Sequence, residues 1–318
     1  MNSETTRVTT PFHSHATAEE VIKGVDLSGR RVVVTGGSSG IGTETVRVLA
    51  EAGAEVTIAT RDPAAGARIA ATFAGVPGTV RSAALDLADL SSVAAFVRDW
   101  RGPLDVLVAN AGIMALPVRQ VNAQGWELQL ATNYLGHFAL TLGLYDSLRA
   151  AGRARIVVVS SGAHLAAPFD FDDPQFERRP YDSWAAYGQS KTADVLLAVG
   201  ARRWAGDGIT ANALNPGWIL TNLTRHMDEA MMRDMGAIDE NGAIIPQPYL
   251  KTVAAGAAAS VLLAASPLVE GVTGRYFEDN QEAPPAAPGV AGGVAAYALD
   301  PDAADRLWDY GSSAIAAA

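Results

Sequence analysis

Hydrophobic positions along the chain switch between two periods. Short β-branched or apolar runs, of the kind that form strands buried on both faces, occur at Arg31–Thr35, Glu55–Thr60, Val80–Leu85, Leu104–Ala109, Arg155–Ser160 and Ile209–Asn215, with a seventh at Thr273–Phe277. Between them the apolar residues recur at three- and four-residue intervals. That spacing predicts helices over Ile41–Gly53, Ala64–Phe73, Leu90–Trp100, Gln120–Leu148 and Trp184–Trp204. Strands alternating with helices predict an α/β fold, a doubly wound parallel sheet of about seven strands with helices on both faces. The alternation leaves no place for a domain boundary. A single domain over 27–318 is therefore expected, behind a polar N-terminal arm (1–26) with a short helix at Thr17–Lys23.

Three segments break the rhythm. Residues 164–183 carry charge, proline and aromatics between a strand and a helix, and residues 222–249 hold four of the six methionines. The second is read as a substrate lid, although a methionine stripe at Met227, Met231 and Met235, with Met232 beside it, also suits a helix packed on the core. Residues 281–300 are rich in Pro, Ala and Gly and predict an irregular tail, followed by a closing helix at about Asp302–Tyr310.

Composition narrows the functional classes. Acidic residues (34) outnumber basic ones (24), a net charge of −10 that argues against a nucleic-acid partner. The absence of cysteine excludes disulfides, thiol nucleophiles and cysteine-ligated zinc. No uncharged apolar run reaches the roughly 18–20 residues of a membrane span, and the N-terminus lacks a signal-peptide core. A soluble, cytoplasmic protein without a membrane partner is expected. Of the five histidines (His13, His15, His137, His164 and His226) only the first two lie close together, so no metal site is expected.

The segment Thr35-Gly36-Gly37-Ser38-Ser39-Gly40-Ile41-Gly42 follows a strand and opens a helix. Gly36 permits a tight turn, Gly40 lets the backbone approach a diphosphate, and Gly42 lets helix and strand pack closely. The unpaired amides of Ser38, Ser39 and Ile41 and the positive end of the helix then attract phosphate. A ligand-free glycine loop is the alternative. The fold is thus of Rossmann type, and the next strand end tests the nucleotide. It reads Ala59-Thr60-Arg61-Asp62, with no carboxylate on the last strand residue, which favours NADP(H) over NAD(H). Pairing of Arg61 with Asp62 or solvent is the alternative, and Asp62 keeps NAD(H) open. Asp86-Leu87 and Asn110-Ala111-Gly112 end the third and fourth strands, where an adenine and a ribose would lie. Asp86 could equally cap the next helix.

Tyr187 and Lys191 stand four apart in a helical stretch and project from one face. An ammonium beside a phenol stabilises the phenolate, which suits proton transfer near neutral pH. Such pairs are also common on solvated helices. Ser161, at the end of the fifth strand, can hydrogen-bond a carbonyl oxygen as charge develops on it. Asn133 is a polar residue in an apolar helical stretch, suited to holding water or bridging a distorted helix.

Taken together, Thr35–Gly42, Asn110–Gly112, Asn133, Ser161, Tyr187/Lys191 and Pro216-Gly217 resemble the short-chain dehydrogenase/reductases. The match runs in the family's order across nearly the whole chain. Asn110-Ala111-Gly112-Ile113-Met114, Thr132–Phe138 and Ala186–Lys191 are similar to the retinol-dehydrogenase-like branch, which includes the WW-domain-containing oxidoreductases. An interval of 26 residues from Ser161 to Tyr187 fits that branch. The resemblance implies that Tyr187 is the acid–base residue and that Lys191 lowers its pKa and holds the nicotinamide ribose. It further implies that Ser161 orients the substrate oxygen, and that Asn133 keeps a water joining Lys191 to solvent. Pro216, Gly217, Ile219 and Thr221 would meet the nicotinamide carboxamide. Ala109 departs from the family's usual second asparagine.

The function so implied is NADP(H)-dependent interconversion of an alcohol with its ketone or aldehyde, transferring the pro-S hydrogen. Phe169, Phe171, Phe176, Tyr181, Trp184 and Trp218 are read as walls for a bulky apolar or aromatic substrate, or as packing for the insertion. A homodimer or homotetramer is conceivable. The rival readings are a nucleotide-sensing protein without turnover, which typically lacks the Tyr/Lys pair, and a sugar-nucleotide epimerase or dehydratase. The latter's TGxxGxxG spacing is absent here.

Overall fold

The computed structural model describes residues 6–221, 223, 232–233, 236–243, 245 and 247–318. Eight strands form one sheet: β1 (Arg31–Thr35), β2 (Glu55–Thr60), β3 (Thr79–Ala84), β4 (Val106–Ala109), β5 (Ala154–Val159), β6 (Ile209–Asn215), β7 (Tyr276–Glu278) and β8 (Gln281–Glu282). Their order is β3-β2-β1-β4-β5-β6-β7-β8. All neighbours are parallel except β7 and β8, which are antiparallel. The order reverses between β1 and β4, the switch point at which doubly wound sheets open a crevice.

Alternation along each strand divides the interior in two. Val32 and Val34 face one side, where they pack with Val46, Leu49 and the helix Ala258–Ala265. Val33 faces the other, with Leu107, Ile156, Val158 and Leu196. Helices α1 (Ala18–Ile22) and α2 (Gly40–Glu51) belong to the first layer. Later helices start where their caps dictate. Asp62 caps α3 (Pro63–Thr72) and Asp89 caps α4 (Leu90–Asp99). Asp182 caps the long α8 (Ser183–Ala201), and Asp300 with Pro301 opens the closing helix Pro301–Ala316.

Four expectations change. The strand count rises to eight, because Asp279 and Asn280 (φ 52° and 62°) turn the chain back on itself after β7. β3 is a half-exposed edge strand rather than a buried one, since no further strand covers its outer side. The tail 281–300 contains β8 and a 3₁₀ turn at Ala296–Ala298, with Val294, Ala295 and Ala298 buried. The single helix predicted over Gln120–Leu148 is several pieces: α5 (Leu128–Leu130), a π turn (Ala131–Leu135), α6 (Gly136–Gly143) and α7 (Tyr145–Ala150). Residues 121 and 127 instead pair as an antiparallel bridge. Among the described residues no helix is long and apolar enough to cross a membrane.

Candidate active site

A cavity of about 990 Å³ runs along the carboxyl edge of the sheet. At one end the turn after β1 supplies Gly36, Ser38, Ser39, Gly40, Ile41 and Gly42, with Arg61 and Leu87 beyond it. Asn110, Ala111 and Gly112 line its middle. Ser161, Tyr187 and Lys191 stand at the far end, opposite Pro216, Gly217, Ile219 and Thr221. Two predicted residues lie off this wall. Asp86 turns its carboxylate onto the Ala88 amide (2.9 Å) while its neighbours Leu85 and Leu87 face the cavity. Cap duty for α4 falls to Asp89. Asn133 sits behind the wall, fully buried.

The glycine turn is built to leave room. Gly36 has φ of 66°, in the left-handed region. A Cβ on Gly42 would come within 2.5 Å of the Gly36 carbonyl and 2.6 Å of Asn110 Nδ2. Ser39, at the N-cap of α2, makes no side-chain bond to the first turn, which leaves the amides there uncapped beside the cavity. These features fit a nucleotide diphosphate.

A buried network holds the middle of the wall in place. Asn133 Oδ1 accepts from the Ile113 amide at 2.9 Å, and Nδ2 donates to the Ile113 carbonyl (3.0 Å) and Ser190 Oγ (2.9 Å). The Asn133 carbonyl, within the π turn, lies 2.8 Å from His137 Nδ1. A carbonyl only accepts, so Nδ1 carries the imidazole proton and Nε2 accepts from the Thr35 hydroxyl at 2.8 Å. Thr35 Oγ1 in turn receives the amides of Asn110 and Ala111. Burial, together with the charge on Lys191, pushes the His137 pKa down to about 4, so the ring is neutral.

At the chemical end Ser161 Oγ accepts from the Ala163 amide at 3.1 Å, which leaves its own proton to donate. The buried Lys191 Nζ donates to the Val159 carbonyl (2.9 Å) and to Asp194 Oδ2 (2.8 Å), and lies 5.8 Å from the centroid of the Tyr187 ring. Burial works against the ammonium, but Asp194 and then Tyr187 raise the Lys191 pKa above the usual lysine value overall. Sequence reasoning missed Asp194, whose signal is an acid three residues past Lys191 in an otherwise apolar run. His164, weighed above only as a metal ligand, is buried, with Nδ1 2.7 Å from the Ser161 carbonyl and Nε2 accepting from the Ala295 amide at 3.3 Å.

Ser161, Tyr187 and Lys191 thus share one cavity with the glycine turn. A family model described as short chain dehydrogenase matches residues 30–232. The chain belongs to the short-chain dehydrogenase family. A Streptomyces lividans protein named "Probable oxidoreductase" is 67% identical over 296 residues, covering 92% of this chain and all of that one. Human retinol dehydrogenase 14 is 36% identical over 304 residues, with 89% and 85% of the two chains covered, in keeping with the retinol-dehydrogenase-like branch. A solved Pseudomonas aeruginosa RhlG/NADP active-site complex superposes with a TM-score of 0.61 at 27% identity, over 80% of this chain and 96% of that one. As a member of this family the protein is an oxidoreductase acting on CH–OH and C=O groups.

Beyond Tyr187 the wall becomes apolar. Met114, Ala163, Trp184, Trp218, Leu223 and Met232 gather around the phenol ring. Met227, Met231 and Met235 lie outside the described residues, as does His226. None of the aromatics of the 164–183 insertion lines the cavity; Trp184, in the first turn of α8, does. Phe169 packs on Phe171 and Tyr310, and Phe176 on Tyr181, because the insertion must cover its own stem and the closing helix.

Proposed function

We propose that the protein interconverts a bulky apolar or aromatic alcohol with its ketone or aldehyde, using NADP(H) in preference to NAD(H) and Tyr187 as the acid–base residue. The observation that carries this reading is the convergence of Ser161, Tyr187 and Lys191 on one end of a cavity whose other end is the glycine turn. When bound, the nicotinamide supplies or receives the hydride. The remaining work falls to the chain's own groups. Ser161 donates its free proton to the substrate oxygen and holds it beside Tyr187. Tyr187 passes the proton to that oxygen in reduction and takes it back in oxidation. The Lys191 ammonium stabilises the phenolate formed in between. Asn133 acts from behind, keeping Ile113 and Ser190 in register.

The cofactor preference rests on the junction after β2. Asp62 commits Oδ1 to the Ala65 amide (2.9 Å) as the cap of α3, whereas Arg61 is exposed at the cavity rim. A cation with no competing carboxylate suits a 2′-phosphate. The substrate class rests on Trp184, Trp218, Met114 and Leu223, and we read residues 222–249 as a substrate lid. We read residues 1–26 as an arm and place the enzyme in the cytoplasm, acting on a small molecule. Tyr187→Phe is expected to cut NADPH-dependent reduction of an aromatic carbonyl panel at least about 1,000-fold, a barrier increase of about 4 kcal/mol. Its NADPH affinity should stay within a few-fold by fluorescence titration. Near-normal turnover in this variant would remove Tyr187 from the role.

A further inference from the structure

We propose that Asp194 is a positioning residue for proton transfer, fixing where the Lys191 ammonium sits and how much of its charge reaches Tyr187. The inference rests on the acid–base role proposed for Tyr187. Asp194 lies within α8, 1% exposed, where its neighbours Ala193, Val195 and Leu196 are core residues. An isolated carboxylate is costly in such surroundings, and this one has a single charged partner among the described residues. Oδ2 accepts from Lys191 Nζ at 2.8 Å, and Oδ1 is buried without a hydrogen-bond partner among the described residues. Lys191 therefore has one proton on the Val159 carbonyl and one on Asp194, which leaves the third for the cavity. Take Asp194 away, and nothing on that side holds the ammonium.

The pair also meters charge. With Asp194 ionised, the positive charge that Tyr187 feels is partly cancelled; with Asp194 neutral it is felt in full. Burial pushes the Asp194 carboxyl up to about 6, against the pull of Lys191, so this cancellation fades in mildly acid solution. Other titratable groups surround the pair. His137, from the π-turned helix, is neutral for the reason given above, and burial raises the Tyr134 phenol beside it. From the 3₁₀ turn after β5, His164 is lowered by burial, while β7 and the closing helix bring Tyr276 and Tyr310, both raised by burial. The 3₁₀ turn at 296–298 adds Tyr297, raised likewise. Arg155 lies at the opposite end of β5, and Arg202, Arg203 and Asp207 follow the far end of α8.

The test compares wild type with Asp194→Asn, nearly the same shape without the charge, and with the charge-restoring Asp194→Glu. Turnover is read as NADP⁺-dependent oxidation of 4-nitrobenzyl alcohol from pH 5 to 10. In Asp194→Asn the rising limb of kcat is expected to move about one unit to lower pH, and a falling limb to appear at high pH as the unpaired Lys191 loses its proton. Asp194→Glu should return both limbs toward wild type. A profile that superposes on wild type, or a loss by one constant factor at every pH, overturns the proposal. A second readout needs neither cofactor nor substrate: the ¹³Cε resonance of Lys191 in the wild-type protein. It should inflect near pH 6 as its partner protonates, and a flat trace overturns the metering of charge even if Asp194→Asn does not fold. Should Tyr187→Phe stay active while this inflection is present, the acid–base reading fails and the ion pair stands.

Discussion

His137 joins three segments that are far apart in the chain. Its Nδ1 proton goes to the π turn at Asn133 and its Nε2 takes the Thr35 hydroxyl, which in turn anchors the amides of Asn110 and Ala111. The cofactor turn and the proton-transfer site are thus tied through one neutral ring. Its folded pKa of about 4 lies below the ordinary 6.5, so the unfolded chain binds the extra proton first. The stability this ring contributes is complete above pH 6.5 and is lost as pH falls toward 4. Between roughly pH 7 and pH 4.5, wild type should lose about 2 kcal/mol more than His137→Gln in urea unfolding. Asp194, whose folded pKa is raised, contributes with the opposite sign, but it is common to both proteins and drops out of the comparison. Equal slopes for the two proteins would mean that His137 is not buried neutral.

At the scale of elements, chain direction and side-chain class were legible wherever local chemistry was decisive. The run Arg31–Thr35 has the bounds expected, and β2, opening with Glu55 and closing at Thr60, does too. The junction after β2 carries a prediction of its own. Arg61→Ala should weaken NADPH binding about 10-fold, corresponding to about 1.4 kcal/mol, and leave NADH within about twofold by fluorescence titration. Equal losses for both nucleotides would assign Arg61 to solvent. The helix expected over Gln120–Leu148 shows what periodicity does not reveal. Its apolar spacing is compatible with helix throughout, but a Cβ at Gly136 would meet the Leu87 carbonyl at 2.1 Å. The π turn lies immediately before that close approach, a contact that apolar spacing does not record.

For the whole molecule the closing helix decides how the catalytic helix meets its surroundings. From Ala186 to Ala201 every residue of α8 is buried within one chain. Part of that cover is Trp308, which packs over Gly200 and edges onto Phe138 and Trp204. This face is therefore covered from within the chain. A chain ending at Leu299 should expose it, elute as larger assemblies by light scattering and unfold at lower temperature than the full protein. A monodisperse truncation with an unchanged midpoint would show that the cover is dispensable.

The motifs and the strand–helix rhythm were readable from residues alone because their causes are local: a turn that needs glycine, a phenol and an amine one helical turn apart, β-branched runs between capped helices. What surrounds those groups was settled only by folding. Asp194 became the partner of Lys191, Asp86 turned away from the cavity, and the insertion's aromatics went into packing because distant segments claimed or excluded space beside them. Burial and competition for hydrogen bonds depend on neighbours far along the chain, which spacing does not record.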